Sequence, residues 1–239
     1  MHKKFGSTIF VFGSNMDGHH GAGAARFARD WMGAIEGQAE GLQGSSYAIP
    51  AKNVSLAQIE AGIDRFAEFA EANEDMQFML TRIACGRNGH PENDIRELVR
   101  CLPANVMFPG IWREKERPAV IIAGTRTFKN YELLERCVNN LTQRMGTFTI
   151  ISGGAEGADS LGEAYAKRNG FSEPEVYEAD WDRFVIDGRK IAGPVRNQFL
   201  SWRGTHLISF WDGISTGTRN MHHTAQHDKL QVRMVKYGK

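Results

Sequence analysis

The chain has 239 residues, with 29 Lys plus Arg against 28 Asp plus Glu and a formal net charge of +1. That balance fits neither a nucleic-acid binder driven by bulk charge nor an acidic disordered chain. Apolar residues make up 41%, yet no apolar run reaches the ~18–20 residues of a membrane-spanning helix. Met1-His2-Lys3-Lys4 leads into a short strand-like run and not into a signal peptide. Cys85, Cys101 and Cys137 are odd in number and lack CxxC spacing, which argues against a disulfide framework or structural zinc and for a reducing cytoplasm. Glycine, 26 residues, is enriched and clustered in loops.

The first strand pattern is Ile9-Phe10-Val11-Phe12, a continuous apolar run closed by Gly13, as in strands buried on both faces of a parallel sheet. Gly21-Ala22-Gly23-Ala24-Ala25 then opens a helix. Leu56, Ile59, Ile63, Phe66 and Ala70 fall on one helical face, behind a capping box of Ser55 and Gln58. Strands follow at 77–83 and 106–109. The alternating charges between Trp112 and Pro118 read as a linker, which sets domains at 1–115 and 117–239. A second glycine-closed run, Ala119–Gly124, starts the other half, followed by a helix bearing Leu133, Leu134, Cys137, Val138 and Leu141. Further strands are expected at 147–152, 176–179, 206–211 and 231–237. Strand and helix alternate throughout, so the fold class is α/β, two tandem domains with mainly parallel sheets.

In the first half, glycines at a strand-to-helix junction allow close backbone approach, and the free N–H groups of the helix attract phosphate. A tight turn with close packing explains the same glycines. Phe12-Gly13-Ser14-Asn15, His20-Gly21-Ala22-Gly23-Ala24-Ala25, Gly41–Lys52 and Cys85–Gly89 together resemble macro domains, the ADP-ribose-binding α/β fold, and a phage and bacterial macro-like family in particular. The resemblance implies that Gly21, Ala22 and Gly23 cradle a phosphate while the loop from Cys85 to Gly89, with Gly86 and Asn88, closes over the other side, and Asn15 is a further ligand-binding candidate. Lys52 stands where one hydrolytic macro type has its lysine, but Asn88 stands where that type has an acid. An amide neither gives nor takes a proton, so binding is favoured over hydrolysis. Cys85 reads either as a reactive thiol or as a small buried hydrophobe.

In the second half, Gly124-Thr125-Arg126, Gly153-Gly154-Ala155-Glu156-Gly157-Ala158-Asp159, Asp180-Trp181, Gly193-Pro194-Val195-Arg196-Asn197 and Gly213–Thr218 occur in that order. They resemble the YspA-type branch of the SLOG superfamily, the Rossmann-like fold of LOG and DprA proteins. The resemblance implies a pocket of Gly124, Arg126, Gly153, Gly154, Asp159, Arg196, Asn197, Ser215, Gly217 and Thr218. Asp159 reads alternatively as a turn-orienting carboxylate, and Trp181 as a base-stacking ring or a core aromatic. Met221 occupies the place of the LOG-type catalytic glutamate, which argues against glycosidic cleavage by that route. Of His222, His223 and His227, positions 223 and 227 share a helix face, but no third ligand joins that pair, which suits a helix surface better than zinc.

The expectation is therefore a cytoplasmic protein (host cytoplasm if phage-encoded) that binds a nucleotide or ADP-ribose-derived small molecule. It requires no cofactor or metal and self-associates through the SLOG-like half, with neither membrane nor nucleic acid as partner. One role for it is a phage sponge for an NAD-derived immune signal. A hydrolase centred on Lys52 and a non-catalytic phage accessory protein are the alternatives.

Overall fold

The computed structural model describes residues 2–4, 8–85, 89–112, 118–171, 173–186 and 189–238. Its contacts divide the chain into residues 6–109 and a second unit made of residues 1–5 with 110–239. The architecture is α/β in both units.

The chain begins with β1 (His2–Lys4), which belongs to the second unit. The first unit runs β2 (Thr8–Asn15), α1 (Gly23–Trp31), β3 (Gly41–Gln43), β4 (Ser46–Lys52), α2 (Leu56–Glu71), β5 (Gln77–Leu80), α3 (Glu92–Leu98) and β6 (Val106–Met107). Its sheet has the order β3-β4-β2-β5-β6, parallel except for the β3–β4 pair. The central strand is β2, and its Phe10, Val11 and Phe12 are buried, as the continuous apolar run requires. Ile59, Ile63, Phe66 and Ala70 form the buried face of α2. The Ser55 hydroxyl accepts from the Gln58 amide at 3.3 Å, and the Ser55 amide donates to Gln58 Oε1 at 2.9 Å, completing the capping box.

The second unit continues with β7 (Ala119–Gly124), α4 (Tyr131–Thr142), β8 (Thr149–Ser152), α5 (Ala158–Arg168), β9 (Glu175–Glu178), the hairpin β10 (Val185–Ile186) and β11 (Arg189–Lys190), α6 (Ala192–Arg203), β12 (His206–Trp211), α7 (Thr216–His227) and β13 (Gln231–Lys236). Six strands form one wholly parallel sheet in the order β1-β9-β8-β7-β12-β13. Val120, Ile122, Ile150, Ile208 and Phe210 face a core closed by Leu134, Val138 and Tyr165 from the helices. Beyond β7 the chain steps outward through β8 and β9, then returns to the other side of β7 as β12. The switch point therefore lies between β7 and β12, and it opens at their carboxyl ends.

The unit boundary differs from the one expected between residues 115 and 117. β1 pairs with Val176–Glu178 of β9, so the first residues complete the second sheet. A 3-10 turn at Gly110–Trp112 also belongs there, because Gly110 abuts the Arg203 and Gly204 carbonyls so closely that a Cβ has no room. The expected linker falls mostly on residues 113–117, outside the described residues. Strand β5 stops at Leu80, short of the expected Ile83: the Thr81 amide and hydroxyl still donate to the Val11 carbonyl, and the chain then turns as the Ile83 amide donates to the Thr81 carbonyl at 2.8 Å.

Candidate functional site

The carboxyl edge of the six-stranded sheet collects the loops after β7, β8, β9 and β12 with the N-termini of α5, α6 and α7. Asp159, in the first turn of α5, is buried at this edge. Its Oδ1 accepts from the Gly124 amide at 3.3 Å and its Oδ2 from the Gly153 amide at 3.1 Å, with a further bond from the Ala155 amide. One carboxylate thus ties the end of β7 to the end of β8. Burial pushes its pKa up to about 6, against the opposing pull of Arg196 and the three amides. Of the two readings of Asp159, the turn-orienting one describes its contacts.

Arg196 reaches inward from α6, and its side chain is only 13% exposed. Its Nη1 stands 3.8 Å from Asp159 Oδ2 and donates to the Gly153 carbonyl, and its Nε donates to Asn197 Oδ1 at 3.1 Å. The sequence places Arg196 against a ligand; the structure gives it a buried carboxylate to neutralise. Glycine at 153 leaves room for this arrangement, since a Cβ there would have to displace the guanidinium. Gly157, with φ +82°, lies against the Thr125 and Arg126 carbonyls and has room for no side chain either. The loops after β7 and β8 are therefore in direct backbone contact.

Asn197 is buried, and its Nδ2 donates to the Gly217 carbonyl and to Asn220 Oδ1, so it joins α6 to α7. Ser215 caps α7 by accepting from the Thr218 amide at 3.3 Å and from the Thr218 hydroxyl at 3.0 Å. Asp212 Oδ1 accepts from the Ile214 and Ser215 amides, which holds its carboxyl below the usual range and fixes the loop after β12. Sequence reasoning missed Asp212, although an Asp ahead of Gly is a recognisable turn signal. Gly124 faces the Phe210 carbonyl too closely for a Cβ.

What remains turned to solvent is a shorter set. Arg126, Gly154, Trp181 and Gly217 are exposed. The Arg126 guanidinium has no ion-pair partner among the described residues; burial chiefly lowers the pKa of Arg196, and the nearby Arg126 charge adds to that lowering. Neither α5 nor α6 has a side-chain cap at its N-terminus. Met221 is buried in α7 and brings no proton-transfer group to this edge.

In the first unit, Asn15 and Lys52 are register partners at the carboxyl ends of β2 and β4, beside an irregularity after Ser14. Lys52, Gly21, Ala22 and Gly23 are exposed, and α1 begins at Gly23 without a side-chain cap. Asn15 Oδ1 accepts from the His19 amide at 2.7 Å. Glu36 holds the same loop: its Oε1 lies 2.5 Å from His19 Nδ1, and its carboxylate accepts from the His20 amide. His20 itself is buried with Nε2 3.1 Å from Ser14 Oγ, and burial keeps its pKa below the ordinary value. Glu36 leaves no periodic trace in the sequence, being 16 residues from His20 on a loop. Burial pushes the Cys85 thiol up to about 11, which favours the small, half-buried hydrophobe over the reactive thiol. Gly86 and Asn88 lie outside the described residues.

Among the described residues no three His, Cys, Asp or Glu side chains cluster as a metal site, and no helix is long and apolar enough to cross a membrane.

Residues 118–184 match the YspA, cpYpsA-related SLOG family. That match supports a SLOG domain in the second unit and covers the loops after β7, β8 and β9. No curated protein matches the chain. Among solved structures, the X-ray structure of DNA processing protein A (DprA) from Streptococcus pneumoniae aligns at 18% identity with a TM-score of 0.41. The alignment spans 51% of this chain and 51% of that one, so the chain covers about half the length of this neighbour.

Proposed function

We propose that the second unit binds a nucleotide-type small molecule, ADP-ribose or a relative of it, with its phosphate at the β7/β12 switch point. The observation that carries this reading is the division of labour between two arginines. Asp159 and Arg196 satisfy each other inside the protein, whereas Arg126 stands exposed on the adjoining loop without an ion-pair partner among the described residues. A cation beside the uncapped helix α5 suits an anionic group that approaches from solvent. The SLOG match over residues 118–184 supports a nucleotide-related role for the same loops.

The macro-like resemblance extends the proposal to the first unit, where exposed Gly21, Ala22 and Gly23 open α1 and Asn15 and Lys52 share the adjacent strand ends. A chain with two such sites, and with Met221 buried where a proton-transfer group would be needed, suits holding an NAD-derived signal intact, as a phage sponge would. Calorimetric titration with ADP-ribose, cyclic ADP-ribose isomers and NAD tests binding. Chromatography of the ligand recovered after heat denaturation tests its fate. Recovery of intact ligand is expected. Breakdown that Lys52→Ala abolishes would establish a hydrolase instead, and no heat from any of the three would defeat the proposal.

A further inference from the structure

We propose that Trp181 reads the base of the ligand, so that the site takes a nucleoside with a planar ring in preference to a bare sugar phosphate. This rests on the phosphate reading of the same edge given above. Five tryptophans occur in the chain, and Trp181, 40% exposed, is the aromatic among the large exposed side chains of the described residues. Phe128, Phe199 and Phe210 of the same unit are buried, in contrast to Trp181.

Its place in the fold adds direction. Trp181 follows β9 by three residues, at the same sheet edge as Gly153 and Arg126. Its ring atom Cη2 lies over Gly193, at 3.4 Å from where a Cβ would be, in the first turn of α6 and three residues before Arg196. The backbone beneath the indole is fixed. Asp180 Oδ1 accepts from the Arg183 amide at 3.2 Å, and the Asp180 carbonyl accepts from the Phe184 amide at 3.2 Å. A large ring with two side-chain torsions, held on a closed turn and left partly in water, loses little freedom when a flat ligand covers it. Every base offers such a face, so stacking here selects for a base without selecting which one.

The full-length chain is titrated with ADP-ribose and separately with ribose 5-phosphate, as wild type, Trp181→Ala and Trp181→Phe. Trp181→Ala is expected to weaken ADP-ribose by about tenfold to a hundredfold, the range found for removing a stacking aromatic. Ribose 5-phosphate, with no base to stack, is expected to bind Trp181→Ala as it binds wild type, and Trp181→Phe to keep most of the ADP-ribose affinity. Equal losses for both probes, or no loss for ADP-ribose, would overturn the inference while the phosphate site stands. If neither probe binds the wild type, the phosphate reading fails and this inference with it.

Discussion

The buried Asp159 carboxylate and the largely buried Arg196 guanidinium face each other at 3.8 Å, between the first turn of α5 and the first turns of α6. Each answers a need created by the other. The carboxylate is required to gather the amides of Gly124 and Gly153, and the guanidinium is required to leave that carboxylate ionised inside the protein. The pair therefore shapes the edge on which a ligand would sit, and Arg126 is the cation left for the ligand.

Arg196→Ala is expected to cost stability, since removing one partner of a buried pair typically destabilises by ~3–5 kcal/mol. Arg126→Ala, at an exposed position, is expected to shift stability by no more than ~0.5 kcal/mol. Urea denaturation of both variants checks this. Equal midpoints would show that Arg196 is not a strut.

Asp159 gives the pair a pH signature. The folded state holds the Asp159 proton up to about pH 6, whereas the unfolded chain releases it near 3.8. Between those values the folded state binds the extra proton, so stability contributed by this group falls as pH rises through the window. Asp159→Asn cannot titrate. Its stability deficit relative to wild type is expected to shrink from pH 4 to pH 6, and a deficit that grows over that range would reverse the assignment.

Two glycines of the same edge are expected to respond oppositely to alanine. Gly153→Ala would push into the Arg196 guanidinium and is expected to destabilise by ~1–3 kcal/mol, the usual cost of overpacking. Gly217, in α7, has nothing within 4 Å of an added Cβ, so Gly217→Ala is expected to stabilise by ~0.5–1 kcal/mol through helix propensity. Thermal melts of the two variants, read against wild type, decide the signs.

Cys85 is expected to resist alkylation by iodoacetamide at pH 7.5, because a thiol raised to about 11 presents little thiolate. Mass mapping of the labelled peptide is the readout. Rapid modification at neutral pH would restore the reactive-thiol reading.

Much of the fold was legible because parallel-sheet strands announce themselves as short apolar runs closed by glycine. Ala119–Gly124 and His206–Trp211 match β7 and β12 residue for residue. The Ser55 capping box was visible for the same reason: its partners are three residues apart. The placement of β1 was not legible, because its partner Val176–Glu178 lies over 170 residues away and three residues have no period. In the site, glycine spacing located the loops but did not say which arginine faces inward. That was decided by Asp159, 37 residues from Arg196 in the chain, and by the close approach of Gly153. Glu36 and Asp212 act through loop hydrogen bonds that have no sequence rhythm.

The most direct test of the central claim is a calorimetric titration of ADP-ribose into wild type and Arg126→Ala under identical conditions. Loss of a charge-assisted contact to a phosphate is expected to weaken binding at least about tenfold, with the denaturation midpoint unchanged. Undiminished affinity in Arg126→Ala would contradict a phosphate site at the β7/β12 switch point.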